Sequence, residues 1–279
     1  MSQRMPSGVC IAGMHRTGTS MVARLLNLCG LWLGPPEDLV PPAPDNPEGF
    51  WENVHLVGVN DLVLAALGGA WDAPPPLPAG WARRPDLDEL ALAAAELVDR
   101  LAAAGPWAWK DPRSSLTLPF WQRVVPDLRV VVCIRNPVEV ARSLRARDGM
   151  PLAEGLRLWE AYYARLLADT EPGRRLVTHY AAYFDHARRE LRRLLAFLGL
   201  TPPARTLCRA LDAVGPRLRH QHAALQDVTA AGAGPGVTAL YARLSAEAAY
   251  AEPALPRARR PSPLRDGQKT PVLASGQTG

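Results

Sequence analysis

The chain has 279 residues, of which 48% are apolar and 21% are charged, and its formal net charge at pH 7 is +5. This length and composition are typical of a globular protein with a sizeable core, and they exclude a disulfide-held miniprotein, a collagen-like fibre and wholesale disorder. The apolar runs are shorter than the ~18 residues of a membrane-spanning helix, and the N-terminus lacks the apolar stretch of a secretory signal. We therefore expect a cytoplasmic protein without a membrane span.

Predicted strands and helices alternate along the chain. A buried strand at residues 8–13 comes first, and the apolar, β-branched run 128–134 is the clearest strand in the sequence. The other elements are predicted, in chain order, as helices at 19–29, 55–67 and 87–103, a strand at 107–109, helices at 116–125, 137–147 and 152–168, a strand at 176–178 and a helix at 188–198. Proline-rich loops fill residues 34–49 and 72–85.

This alternation predicts an α/β fold of the P-loop type, with three layers: a central, mostly parallel sheet and helices on both of its faces. We predict a single domain over residues 1–250 and a basic, proline-rich, disordered tail over 251–279. The tail contains five basic and only two acidic residues, whereas the rest of the chain has nearly equal numbers of basic and acidic residues. The charge therefore does not predict a nucleic-acid partner, and nothing in the sequence indicates the oligomeric state.

The four cysteines are spaced unlike either a zinc site or a disulfide framework. Cys10 and Cys133 lie within apolar runs, which predicts small buried side chains. No metal site is expected from the sequence.

The segment Gly13-Met-His-Arg-Thr-Gly-Thr-Ser20 lies between a predicted strand and a predicted helix, as a phosphate-binding loop does. Backbone N–H groups and the helix dipole attract an anion at such a position. Thr19 stands where a Walker A loop has its lysine, and the positive charge comes from Arg16 instead. A purely structural glycine turn is the alternative interpretation.

Lys110 follows the strand at 107–109, and it is one of only two lysines among 32 basic residues. An ammonium group is a compact point charge, whereas a guanidinium group is a rigid fork. A lysine in so arginine-rich a chain therefore favours contact with a moving oxygen atom. A solvated loop with a salt bridge is the alternative.

Arg135 directly follows the strand at 128–134. Ser143 lies two turns into the next helix, and Arg147 lies one turn further on the same face. A guanidinium group and a hydroxyl group together can hold a phosphate monoester. A helix with an unrelated serine and arginine is the alternative.

Together these motifs resemble those of the sulfotransferases that use 3′-phosphoadenosine 5′-phosphosulfate (PAPS), over about residues 8–200. His15-Arg-Thr-Gly-Thr-Ser20 is similar to the family's 5′-phosphosulfate loop, and Arg135 with Ser143 is similar to its 3′-phosphate motif. Lys110-Asp-Pro resembles the tyrosylprotein branch, in which the lysine is near the transferred sulfuryl group. The segment 46–52, Asn-Pro-Glu-Gly-Phe-Trp-Glu, resembles bacterial members.

The resemblance implies metal-independent, in-line transfer of a sulfuryl group from PAPS to a hydroxyl group of a carbohydrate or natural-product acceptor. Tyr180 is similar to the family's adenine-contacting tyrosine, although Ala-Ala follows it here instead of Glu-Asp. The implied donor-binding residues are His15, Arg16, Thr17, Gly18, Thr19, Ser20, Arg135, Ser143, Arg147 and Tyr180.

The implied catalytic cations are Arg16 and Lys110, and an acceptor hydroxyl also needs a base. The resemblance places a glutamate base in the segment between the first two helices. Glu52 is the first candidate, His55 the second and Glu48 the third. Glu52 has the alternative role of capping the helix that begins near Asn53. The loops 34–50 and 72–85 are predicted to wall the acceptor pocket.

Two other functions are compatible with this sequence. A P-loop kinase or NTPase would also bind phosphates after the first strand. Against this function, the sequence has neither the Walker A lysine nor the Walker B aspartate at the expected positions. A degenerate, non-catalytic nucleotide-binding protein is favoured by the departure after Tyr180, and the presence of Arg16 and Lys110 argues against it.

Overall fold

The computed structural model describes residues 7–44, 46–215, 223 and 225–251. The strands are β1 (Gly8–Ala12), β2 (Ala108–Lys110), β3 (Leu128–Ile134) and β4 (Arg175–His179). The helices are α1 (Thr19–Leu28), α2 (Val54–Ala66), α3 (Asp88–Ala102), α4 (Ser114–Val124), α5 (Pro137–Asp148), α6 (Leu152–Asp169), α7 (Ala182–Leu198), α8 (Ala204–Asp212), α9 (Leu225–Ala230) and α10 (Pro235–Glu247). Apart from Ala251, the predicted tail lies outside the described residues.

The four strands form one sheet in the order β2-β1-β3-β4, and all of their pairings are parallel. In the register of the sheet, Cys10 of β1 is paired with Trp109 on one side and with Val130 on the other. Because the strands are parallel, all four carboxyl ends lie at the same edge. The predicted parallel sheet is confirmed.

The two faces of the sheet are covered by separate apolar cores. Cys10 and Ala12 of β1 belong to a core shared with α2, α3, α4, α5, α6 and α10, whereas Val9 and Ile11 belong to a core shared with α1, α7 and α8. This alternation follows from the two-residue period of a strand. The predicted α/β fold with helices on both faces is confirmed, and the buried positions of Cys10 and Cys133 agree with the sequence.

The strand order places a topological switch point between β1 and β3. The chain leaves β1 for the β2 side of the sheet and leaves β3 for the β4 side. The connections therefore diverge and open a crevice at the carboxyl ends, where ligands bind in sheets of this kind. The loop after β1 and the start of α5 both lie at this crevice.

Two predicted helix boundaries illustrate what local signals capture. Asn136 caps α5 as predicted, since its side chain accepts a hydrogen bond from the Val138 N–H at 3.0 Å and Pro137 is the first helical residue. The predicted start of α7 at residue 188 was wrong. The helix begins at Ala182 and contains a non-helical residue, His186.

Among the described helices, none has the length and apolar character that crossing a membrane requires.

Candidate active site

A cavity of about 640 Å³ opens at the carboxyl edge of the sheet. It takes residues from the loop after β1, the ends of β2 and β3, α5, and the segment before α2. The predicted site residues that line it are His15, Arg16, Gly18, Thr19, Ser20, Glu48, Glu52, Lys110, Arg135, Ser143, Arg147 and Tyr180. The fold thus brings side chains from distant parts of the chain to one place.

The loop after β1 requires both of its glycines. Gly13 has φ +141°, and a Cβ atom there would collide with the carbonyl oxygen of Cys133. Gly18 has φ +90°, and a Cβ atom there would collide with the Tyr180 ring. Arg16 also adopts a left-handed conformation, with φ +69°, which is uncommon for a residue with a side chain. Strained conformations of this kind cluster at ligand-binding loops, so a glycine turn alone does not account for the segment.

Thr17 belongs to this loop, but its side chain faces inward. The residue is buried, and its Oγ1 donates a hydrogen bond to the Met14 carbonyl oxygen at 2.6 Å. Thr17 thus stabilises the turn, and among the predicted donor-binding residues it is the one whose side chain does not line the cavity.

Arg16, Ser143 and Arg135 form a connected group. Arg16 Nε donates to Ser143 Oγ at 2.8 Å, and Arg135 Nη1 donates to the Arg16 carbonyl oxygen at 3.2 Å. The Arg135 guanidinium lies over the Tyr180 ring, 4.6 Å from its centre. Two cations and a hydroxyl group therefore face one end of the cavity, beside the N-terminus of α1, and such a group suits an anion.

Glu139 is absent from the predicted site residues. It is buried, and its Oε2 accepts a hydrogen bond from Arg135 Nε at 2.6 Å. Glu139 lies four residues after Arg135, at the start of a predicted helix. This i, i+4 spacing is typical of an ion pair, and it is the sequence signal that would have identified Glu139.

Lys110 and Glu52 form a buried ion pair at the other end of the cavity. Lys110 Nζ is 2.5 Å from Glu52 Oε1, and only 2% of the lysine side chain and 12% of the glutamate side chain are exposed. The alternative in which Glu52 caps α2 is wrong, because Asn53 is the cap and accepts hydrogen bonds from the His55 and Leu56 N–H groups. The solvated salt bridge considered for Lys110 is also excluded, since the pair is buried.

Asp111, next to Lys110, is a second buried carboxyl group that sequence reasoning left without a role. Its Oδ2 accepts from Asn60 Nδ2 at 2.7 Å, and its Oδ1 accepts from the Arg113 backbone N–H at 3.0 Å. Burial raises the pKa of Asp111 to about 6, although the Arg113 guanidinium acts in the opposite direction. These contacts join α2, which follows Glu52, to the turn that follows Lys110 at the end of β2.

His15 is surrounded by cations. Its ring packs on Trp71 with a centroid distance of 4.5 Å, and its buried Nε2 has no hydrogen-bond partner among the described residues. Burial lowers the pKa of His15 well below its ordinary value, and the charges of Arg113 and Arg147 lower it further. Arg113, Arg147, Lys110 and Arg16 all place positive charge near the His15 ring.

The remaining candidates divide by position. Arg147 lines the cavity, lies over the Trp71 ring at 5.5 Å and pairs with Asp148. Glu48 lines the cavity and pairs with Arg24. The structure does not bring His55 to the cavity: its side chain is 56% exposed, and its Nε2 lies 3.3 Å from Asp38.

Of the two loops predicted to wall an acceptor pocket, only one reaches the cavity. Residues 46–50 contribute to its lining, whereas residues 72–85 do not. Trp81, in the second loop, is instead buried in the core on one face of the sheet. In the described part of the chain, histidine, cysteine, aspartate and glutamate side chains form no group of three or more that could hold a metal ion.

Comparisons with known proteins agree with this architecture. The model of a family described as "Sulfotransferase family" matches residues 6–203. The comparison with curated proteins gives no match. Among solved structures, the sulfotransferase domain of the olefin synthase from Synechococcus PCC 7002 is 16% identical with a TM-score of 0.51, and the alignment covers 91% of this chain and 98% of that chain. A sulfotransferase from Alicyclobacillus acidocaldarius is 18% identical with a TM-score of 0.47, and 89% of this chain and 97% of that chain are covered.

Proposed function

This chain belongs to the sulfotransferase family, and on that basis we propose that it transfers a sulfuryl group from PAPS to the hydroxyl group of a small molecule or a glycan. The observation that carries the proposal is the meeting of two groups in one cavity: Arg16, Arg135 and Ser143 at one end, and the Lys110–Glu52 pair at the other. The first group suits an anionic donor, and the second offers both a cation and a base.

The residues of the cavity fit a nucleotide with phosphate or sulfate groups at two positions. Gly13 and Gly18 keep side chains out of the loop before α1, where backbone N–H groups attract an anion. Arg16 and Arg135 approach from separate loops and bring two positive charges to the cavity. A ligand with a single anionic group would use only part of this arrangement.

In the proposed donor site, the loop of residues 15–20 holds the 5′-phosphosulfate through Arg16 and the backbone N–H groups. Arg135 and Ser143 hold the 3′-phosphate, with Arg147 as a further cation, and Tyr180 contacts the adenine. When bound, PAPS supplies the sulfuryl group together with a stable nucleotide leaving group.

Glu52 and Lys110 act together on the acceptor side. The Glu52 carboxylate takes the proton of the acceptor hydroxyl, which makes the acceptor oxygen a better nucleophile. Protonation of Glu52 removes the counter-ion of Lys110, so the ammonium group is then available to stabilise negative charge on an oxygen atom of the reacting group. The 2.5 Å contact between the two side chains couples proton removal to charge stabilisation.

We further propose that the transfer needs no metal ion. A sulfuryl group carries less charge than a phosphoryl group, so less charge has to be neutralised during transfer. Arg16, Lys110 and Arg135 already provide cations at both ends of the cavity.

The test is transfer of labelled sulfate from PAPS to a panel of sugar, phenol and alcohol acceptors, with a metal chelator present. We expect a labelled product, loss of product in R135A, and full activity in R100A, since Arg100 is an exposed arginine of α3 that is not among the residues lining the cavity. Transfer from ATP that depends on Mg²⁺ would instead support a P-loop kinase. Nucleotide binding without transfer to any acceptor would support a non-catalytic protein.

A further inference from the structure

The two carboxylate oxygens of Glu139 bind different parts of the chain. Oε2 accepts from Arg135 Nε at 2.6 Å, and Oε1 accepts from the Ala223 backbone N–H at 2.8 Å. The residue is only 2% exposed, so both contacts are shielded from water. Hydrogen bonds between charged groups in such surroundings are short and directional.

Arg135 is constrained on several sides. Glu139 holds its Nε, the Arg16 carbonyl oxygen holds its Nη1, and the Tyr180 ring covers a face of the guanidinium plane. A planar group that is fixed at two nitrogen atoms and one face keeps a single orientation. Of these contacts, the one with Glu139 is the only ion pair.

The contact with Ala223 links this arrangement to a part of the chain beyond the family match, which ends at residue 203. The segment that follows Ala223 is docked on β4. Tyr241 of α10 is hydrogen-bonded to His179 at 2.9 Å, and Glu247 pairs with Arg175 at 2.6 Å. The C-terminal segment is therefore anchored to the strand that leads to Tyr180, and it reaches the carboxylate that holds Arg135.

We propose that Glu139 is a positioning residue: it orients Arg135 toward the 3′-phosphate of the donor nucleotide, and the C-terminal segment holds Glu139 in place through Ala223. This inference rests on the proposed function, since it assigns the 3′-phosphate to Arg135. It adds a requirement that Arg135 alone does not supply, namely that the guanidinium is already oriented before the nucleotide binds.

A carboxylate beside Arg135 has a second effect of opposite sign. Its negative charge lowers the positive potential at the phosphate site, and that effect alone would weaken phosphate binding. Replacement of Glu139 by glutamine therefore distinguishes the two effects. If orientation dominates, binding of the 3′-phosphate weakens, and if the charge dominates, binding strengthens.

The experiment is calorimetric titration of the full-length protein and of E139Q with 3′-phosphoadenosine 5′-phosphate (PAP) and with AMP, which lacks the 3′-phosphate. We expect the wild type to prefer PAP, and E139Q to lose about tenfold in PAP affinity while AMP affinity changes less than about twofold. In the R135A background, E139Q should cause no further loss of PAP affinity, because the guanidinium group that Glu139 orients is absent.

The matched control is E190Q. Glu190 is also buried, and its Oε1 lies 2.6 Å from an arginine, Arg193, three residues along its own helix. E190Q therefore removes a comparable ion pair and should keep the PAP preference of the wild type.

The outcomes separate the inference from the function on which it rests. Equal affinities of the wild type for PAP and AMP would overturn the donor site and this inference with it. If the wild type prefers PAP to AMP and E139Q leaves that preference unchanged or increases it, the positioning role of Glu139 is overturned and the donor site is not. If thermal unfolding shows that E139Q does not fold, E139D replaces it: aspartate keeps the charge but is too short to reach both partners, and an undiminished PAP preference in E139D would equally refute positioning.

Discussion

The two ends of the cavity differ in how their charges are compensated. On the nucleotide side, formed by the loop after β1 and by α5, Arg16 binds the neutral hydroxyl of Ser143, and Arg135 shares one carboxylate with a backbone N–H group. On the transfer side, formed by the end of β2 and the segment before α2, Lys110 is fully paired with Glu52, and Asp111 is a second buried carboxyl group. The nucleotide side thus keeps a positive potential for binding, whereas the transfer side has matched acids and bases that suit proton movement.

This difference leads to separable effects of substitutions. Changes on the transfer side should reduce turnover and leave nucleotide affinity nearly intact, and changes on the nucleotide side should reduce affinity first. The expected effects decrease in the order K110A, E52Q and D111N.

Replacement of Lys110 by alanine should have the largest effect. We predict that turnover in K110A falls by about 10³-fold, because the cation that stabilises developing negative charge is lost. The dissociation constant of PAP should change by less than about threefold. Initial rates at saturating PAPS and calorimetry with PAP measure the two quantities, and R100A is the control for loss of a cation elsewhere. A parallel loss of affinity and turnover would show that the two sides are not separable.

Replacement of Glu52 by glutamine should have the next largest effect. We predict about a 10²-fold decrease in turnover in E52Q, because the amide cannot accept the acceptor proton. H55N should keep wild-type turnover, since His55 is exposed and lies outside the cavity lining. If rates measured at saturating PAPS fall in H55N and persist in E52Q, the base has been assigned to the wrong residue.

Replacement of Asp111 by asparagine should have the smallest effect, and the effect is on the pH dependence of the unfolding free energy. The pKa of Asp111 is about 6 in the folded chain against 3.8 in an unperturbed group, so the folded state holds this proton more tightly. A raised carboxyl pKa means that stability falls as pH rises from about 4 to about 6 and is constant above that window.

We therefore predict that the wild type loses roughly 2 kcal/mol of unfolding free energy relative to D111N between pH 4 and pH 7. Urea denaturation of both proteins at these two pH values measures the difference. A difference that does not vary with pH would show that Asp111 carries no such electrostatic cost.

The sequence allowed the sheet and most of the nucleotide side to be predicted, because their signals are local. A buried strand followed by Gly13 and Gly18, and a strand followed by Arg135-Asn136-Pro137, each combine a strand end and a helix start within a few residues. Parallel strands then bring such segments to one edge.

The contacts that sequence reasoning missed join residues far apart in the chain. Asn60 and Asp111 are separated by 51 residues, and Glu139 and Ala223 by 84. The helix α10 was also missed, and its position depends on tertiary contacts such as that between Tyr241 and His179. His55 was a reasonable candidate because it lies three residues after Glu52, but it is on an exposed part of α2, whereas Glu52 points to the buried Lys110.

The central claim is that the cavity recognises a nucleotide with a 3′-phosphate. The most direct test is calorimetric titration of the full-length protein with PAP and with ADP, without metal, because the two ligands differ in where the second phosphate lies. We predict micromolar binding of PAP, at least about tenfold weaker binding of ADP, and loss of this preference in R135A. Equal affinities, or ADP binding that appears only when Mg²⁺ is added, would contradict the account and favour a P-loop phosphotransferase.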